Sequence, residues 1–341
     1  MRAMILGAGL GTRLRPLTLV RPKVLVPVMG TTILEFWLCR LHSQGFRDVA
    51  LNTHHLASKF HSMPPSPPPS LRLQIFEEAT LLGTGGGILN ALDFFKDEDF
   101  VAVNGDTLCD VDLQRILGQH LGFGEPVSLV LHDFPQFNNV AVVGGERVVA
   151  FGEDARRLAL KSRDIRLLAF TGIHCLDPEV LRPYRRGVFL DILSVYREFI
   201  EKRHPIRAIV LTRPIWRETG TVEAYRDLHA ECVRWPGGIL EPLRTGRTRW
   251  QDPSCTVEPD TRFSGYTAVG RRCRIRRGAV LENTILWDDV EIGEGSVLRD
   301  CIVTDGVRLT GCFSGGIFTC LLYTSDAADD LLCVDLGGRR I

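Results

Sequence analysis

Apolar residues follow two rhythms through the first two-thirds of the chain and a third rhythm beyond it. Met4-Ile5-Leu6 is a short apolar run bounded by glycine, the form of a buried strand. Thr32 can cap a helix in which Ile33, Phe36, Trp37 and Leu41 recur at helical spacing, with Gly45 placed to end it. Strands are predicted at 49–52, 71–76 and 206–211, and Phe100-Val-Ala-Val-Asn-Gly-Asp106 has the form of a buried parallel strand whose last residues emerge at the sheet's carboxyl edge. Residues 63–70, Met-Pro-Pro-Ser-Pro-Pro-Pro-Ser, can be neither helix nor central strand and are read as an exposed connecting loop. Strand and helix thus alternate as a doubly wound α/β sheet requires.

Past position 235 the alternation stops. Val257, Phe263, Val269, Ile275, Leu281 and Trp287 recur every six residues, and Ile292 and Leu298 resume after a step of five. Leu281-Glu-Asn-Thr-Ile-Leu is echoed by Leu298-Arg-Asp-Cys-Ile-Val 17 residues later, close to three hexads. A coil of hexapeptide repeats is expected. No histidine follows His229, so the histidine-dependent chemistry that such coils can carry is not expected, and the coil is read as structural, oligomerising or regulatory.

Composition narrows the function. Lys plus Arg and Asp plus Glu are 41 each, so no global positive field favours nucleic acid or an anionic membrane. No apolar run approaches the ~20 residues of a membrane span and no secretory leader is recognisable, so a cytoplasmic location is expected. The ten cysteines include no Cys-x-x-Cys pair and are read as mostly buried apolar residues. His54 and His55 have no third partner at a metal-ligand spacing and are left unassigned.

The chemistry is concentrated between Met4 and Lys23. Gly7, Gly9 and Gly11 remove side chains where a strand ends, so that backbone N–H groups can approach an anion; Arg13 adds a forked positive charge and Lys23 a point charge. A polyphosphate suits that cradle. A P-loop is excluded because Thr12 and Arg13 follow Gly11 where Lys-Ser/Thr is needed, and the third glycine comes one residue early for a dinucleotide fingerprint.

Gly-x-Gly-Thr-Arg-Leu-x-Pro-Leu-Thr followed by Pro-Lys resembles the signature of the sugar-1-phosphate nucleotidylyltransferases. Leu82-Gly-Thr-Gly-Gly-Gly87, Val103-Asn-Gly-Asp106, Phe170-Thr-Gly-Ile173 and Trp216-Arg-Glu-Thr-Gly-Thr221 follow in that family's order. The resemblance implies a Rossmann-like sheet, mixed and mostly parallel, in a catalytic domain over 1–235. A linker over 236–255 would lead to a left-handed parallel β-helix over 256–319. Residues 320–341 keep no hexad register and resemble translated sequencing-adaptor read-through, so a non-native tail and a shortened β-helix are expected there.

The same resemblance assigns roles. Arg13, Lys23 and Asp106 would be catalytic. Leu6, Gly7, Ala8, Gly9, Gly11, Thr12, Gly83, Thr84 and Asn104 would lie against the nucleotide, with Glu78 a possible base contact. Asp106 and Glu218 would hold Mg2+, an ion that takes one or two carboxylates plus phosphate oxygens; the family usually has aspartate at the position of Glu218. Phe151-Gly-Glu-Asp-Ala-Arg-Arg157 stands where many members carry Phe-x-Glu-Lys-Pro. Glu153 remains there, Gly172 would lie close to the sugar, and the missing lysine's charge falls to Arg156, Arg157 or Lys161, the arginines being read as part of a polar loop.

The implied reaction joins a nucleoside triphosphate to a sugar 1-phosphate and releases pyrophosphate. GTP with mannose 1-phosphate is the first expectation, and UTP with N-acetylmuramate 1-phosphate or another sugar phosphate the second. A non-catalytic nucleotide-sugar-binding regulatory subunit is a third reading. Homo-oligomers through the β-helix are expected, since stacked coils leave an end and a flank to be covered.

Overall fold

The computed structural model describes residues 1–234, 249–320, 333–335 and 339–340. Most of the expected linker and residues 321–332 of the expected tail lie outside them.

Two compact units emerge: Met1–Leu10 with Trp37–Glu218, and Gly11–Phe36 with Thr219–Ile341. The first is built on a nine-stranded mixed sheet. Its order is Arg72–Glu77, Asp48–Thr53, Arg2–Leu6, Phe100–Asn104, Ile165–Leu176, Val127–His132, Arg207–Leu211, Arg147–Phe151 and Val140–Val143. The first four strands are mutually parallel, as is the pair Val127–His132 with Arg207–Leu211, and Ile165–Leu176 runs antiparallel to three neighbours. Phe100–Asn104 is buried except at its last residue, as its unbroken apolar run predicts. Phe95, Phe100, Leu129, Leu176 and Tyr196 belong to the core beneath the sheet.

The predicted first helix forms as Ile33–Ser43. Thr32 Oγ1 accepts from the Glu35 N–H at 3.1 Å, and the Glu35 carboxylate accepts from the Thr32 N–H at 2.9 Å, a reciprocal capping box. One expectation fails locally. The stretch after Phe151, read as a polar loop, is the helix Gly152–Lys161, whose Ala155 and Leu158, one turn apart, pack on a small cluster with Ala141 and Ala150.

The second unit holds the repeats. Three sheets of short parallel strands stack side by side, so that Arg274 pairs with Glu291 and Glu291 with Arg308, the arrangement of a parallel β-helix. Val269, Ile275, Leu281, Ile292 and Leu298 all point into its core. Fully burying each such side chain stabilises the coil by roughly 1.5–3 kcal/mol before chain entropy is counted. Arg249–Gln251 already pairs in parallel with Thr267–Val269, so the coil starts inside the stretch read as a linker. At the other end Cys333–Asp335 and Arg339–Arg340 pair antiparallel with Ile317–Cys320 and Cys312–Ser314, a break from the parallel pattern on the last coil.

Candidate active site

Three strands reach one edge together: Leu6 pairs with Asn52 on one side and Asn104 on the other. The chain turns there, and the Gly7 N–H donates to Asn52 Oδ1 at 2.9 Å. Asn52 Nδ2 donates in turn to Glu78 Oε1 at 2.7 Å, and Glu78 Oε2 accepts the Leu82 N–H at 3.0 Å. Asn52 and Glu78 are 2% and 3% exposed, so this relay replaces water for every group in it. The Gly7 N–H is thus held by Asn52, and Glu78 braces Asn52 and the Leu82 N–H. Ala8 is buried, whereas a Cβ on Gly9 would meet nothing within 4 Å, so open space lies beside that part of the turn.

In the second unit, Gly11 adopts φ +62°, and a Cβ there would lie 2.6 Å from Thr18 Cγ2 and 3.5 Å from Lys23 Cβ. Only glycine fits such a position without strain. Thr18 donates to the Gly11 carbonyl at 2.8 Å, as does the Leu14 N–H at 3.0 Å. The short turn Thr12–Leu14 is thereby fixed, with Thr12 and Arg13 exposed on it and the buried Lys23 close to Gly11.

Both acids lie in the first unit. Gly105 donates to the Leu6 carbonyl at 2.9 Å, which places Asp106 at the edge where the glycine turn begins. Thr107–Cys109 then pairs antiparallel with Trp216–Glu218, and Glu218 stands opposite Thr107. Asp106 directly precedes Thr107, so the two acids lie one position apart along that ladder, both half-buried. No cluster of three or more His, Cys, Asp or Glu capable of holding a metal occurs among the described residues. An all-oxygen pair is the set that Mg2+ accepts when substrate phosphates and water complete its shell, so the residues present fit that ion.

Beside them, the antiparallel pairing of Ile165–Leu176 with Val127–His132 shifts register between Phe170 and His174. Gly172 sits in this bulge at φ +79°, and a Cβ would fall 2.5 Å from Asn104 Nδ2. Gly172 and Asn104, assigned separately from sequence, are in contact. Trp216 Nε1 donates to the Thr171 carbonyl at 3.0 Å and so ties the bulge to the strand that carries Glu218.

Gly83 and Thr84 begin the helix Gly83–Asn90. The Gly86 N–H donates to the Leu190 carbonyl at 3.0 Å, and Thr84 Oγ1 accepts the Ile192 N–H at 3.1 Å at the head of the helix Ile192–Glu201. The glycines thus let two backbones pack, and Thr84 caps the neighbouring helix. Glu153 and Lys161 do not come together. They stand at opposite ends of Gly152–Lys161, about 12 Å of helical rise apart, and Glu153 lies on the exposed surface within 4 Å of Arg156 and Arg157. Asn52 was not found from sequence, because its partners lie 45 and 26 residues away.

A nucleotidyl transferase family model matches residues 2–234, and the chain belongs to that family. It is 36% identical to the N-acetylmuramate alpha-1-phosphate uridylyltransferase of Neisseria meningitidis, a match that takes in 69% of this chain and 100% of that protein. It is 28% identical to the mannose-1-phosphate guanylyltransferase of Mycobacterium tuberculosis over 87% of this chain and 82% of that one. Among solved structures, HddC from Yersinia pseudotuberculosis in complex with GMP-PN superimposes with a TM-score of 0.55 at 23% identity, covering 67% of this chain and 97% of that one, a likeness of fold.

Proposed function

We propose that this protein transfers a nucleotidyl group from a nucleoside triphosphate to a sugar 1-phosphate, releasing pyrophosphate. The observation that carries the reading is the placing of Asp106 at the edge where the glycine turn begins, with Glu218 opposite its chain neighbour Thr107. The reaction is an in-line displacement at the α-phosphorus by a phosphate oxygen of the sugar phosphate. Both reactants are anions, so the protein's task is to hold them close and neutralise charge. Arg13 and Lys23 would bind the triphosphate oxygens. Asp106 and Glu218 would hold Mg2+, which supplies further charge neutralisation on the phosphates. Gly172 and Asn104 would lie close to the sugar and nucleotide, with the Asn104 side chain filling the space a side chain at Gly172 would take. Glu153, exposed at a helix start, would lie at the sugar-phosphate end, with the missing lysine's charge left to Arg156, Arg157 or Lys161.

GTP with mannose 1-phosphate is the preferred pair, because the match to a guanylyltransferase named for that sugar extends through most of both chains, coil included. UTP with N-acetylmuramate 1-phosphate is the second reading, favoured by the higher identity to a shorter relative matched along its whole length. Pyrophosphate release from each nucleoside triphosphate paired with several sugar 1-phosphates, with Mg2+, separates them. Turnover confined to GTP and mannose 1-phosphate supports the first pair, turnover with UTP and the N-acetylmuramate ester the second, and none with any pair contradicts catalysis and favours a regulatory subunit.

A further inference from the structure

Arg21 is buried, its side chain 3% exposed, and it lies two residues before Lys23. Its guanidinium is gripped by two carboxylates of the β-helix. Nε donates to Asp305 Oδ2 at 2.7 Å and one terminal nitrogen to Asp305 Oδ1 at 2.5 Å, a bidentate fork, while the same nitrogen reaches Asp288 Oδ2 at 2.9 Å. Its Cζ lies 5.0 Å from the ring centre of Trp287. Burial opposes the charge, but hydrogen bonding and attraction to Asp305, then Asp288, outweigh it and hold the guanidinium above its ordinary pKa.

The grip reads the repeat itself. Asp288 and Asp305 occupy the same place on successive coils, and the Asp288 N–H donates to Asp305 Oδ1 at 3.0 Å, just as the Arg271 N–H donates to Asp288 Oδ1 at 2.7 Å one coil earlier. Two further ties hold the same segment. Trp287 Nε1 donates to the Tyr225 hydroxyl at 3.2 Å, and that hydroxyl donates to the Pro27 carbonyl at 2.5 Å. The Met29 N–H donates to His229 Nε2 at 3.3 Å. The stretch bearing Arg13 and Lys23 accordingly belongs to the same compact unit as the coils.

We propose that Arg21 is a positioning residue: by locking its segment onto Asp288 and Asp305, it makes the β-helix the footing for the two cations that bind the triphosphate. This rests on the catalytic reading above for its consequence, while the clamp itself can be judged apart from it. A lysine keeps the charge but cannot form the fork, and a misplacement near one ångström is enough to matter for phosphate transfer.

The test compares the wild type with Arg21→Lys, Asp305→Asn and Asp305→Glu in the full chain. Hydrogen exchange over residues 11–25 should quicken in Arg21→Lys and Asp305→Asn, while the strand Phe100–Asn104 keeps its protection. KM for the nucleoside triphosphate should rise about tenfold or more and kcat fall, with KM for the sugar phosphate unchanged and partial rescue in Asp305→Glu. Unchanged exchange over 11–25 in folded variants overturns the clamp. Quickened exchange with unchanged triphosphate KM and kcat, or an equal rise in both KM values, overturns its positioning role. A wild type silent with every substrate pair refutes the catalytic reading, and the exchange result still judges the clamp.

Discussion

Gly87 lacks a side chain because the Asn52–Glu78 relay fills the space one would take. A Cβ there would lie 2.4 Å from Asn52 Nδ2 and 2.8 Å from Glu78 Oε1, the two atoms hydrogen-bonded to each other in that relay. Gly118, inside the helix Leu113–Phe123, has nothing within 4 Å of its Cβ position. The same substitution should therefore act with opposite sign. Gly118→Ala gains helix propensity and should stabilise by up to about 1 kcal/mol, whereas Gly87→Ala should destabilise by about 1–3 kcal/mol through overpacking. Denaturant titration of both variants checks this, and a Gly87→Ala protein as stable as the wild type would contradict the relay's rigidity. At this scale the sequence showed those groups that cluster within one motif, Gly7, Gly11, Arg13 and Lys23. Glu78 was visible only as a candidate and Asn52 not at all, because hydrogen bonds between strands distant in the chain leave no local signature.

Two elements bury a neutral histidine whose titration sets an acid limit on stability. His174, on the central strand Ile165–Leu176, is hydrogen-bonded to the Tyr196 hydroxyl, and burial pushes its pKa down to about 3. His229, on the helix Val222–Arg234, accepts the Met29 N–H and donates from Nδ1 to the Tyr225 carbonyl; burial pushes it down to about 4. Unfolded, both bind a proton near the ordinary value of 6.5. Between about pH 6.5 and 4 the unfolded chain therefore holds more protons than the folded one, and stability must fall as pH falls through that window. Chemical denaturation across pH 4 to 8 should show the decline, and His229→Gln should flatten it; a midpoint that rises on acidification would contradict the buried neutral state. The elements themselves were largely legible, because hexads and buried strand runs are periodic. The helix Gly152–Lys161 was not, since Leu160 is 89% exposed and Glu153, Asp154, Arg156 and Arg157 mask its short apolar stripe.

At the scale of the whole molecule, the chain's order and its packing differ. Sequence periodicity separates an α/β region from a coil near position 235, but the compact units assign Gly11–Phe36 to the unit of the coil. The reason is physical and non-local: Arg21 reaches Asp288 and Asp305, and Pro27 and Met29 reach Tyr225 and His229. The motif groups Arg13 and Lys23 locally, yet no periodicity reveals what holds the segment that bears them. No helix among the described residues is long and apolar enough to cross a membrane.

The central claim is charge-assisted nucleotidyl transfer, and pyrophosphate release by Lys23→Ala tests it most directly. With circular dichroism and thermal midpoint showing a folded protein, turnover should drop by about two orders of magnitude or more, the scale on which removing a charged phosphate contact acts. Near-normal pyrophosphate release from that folded variant would contradict the account.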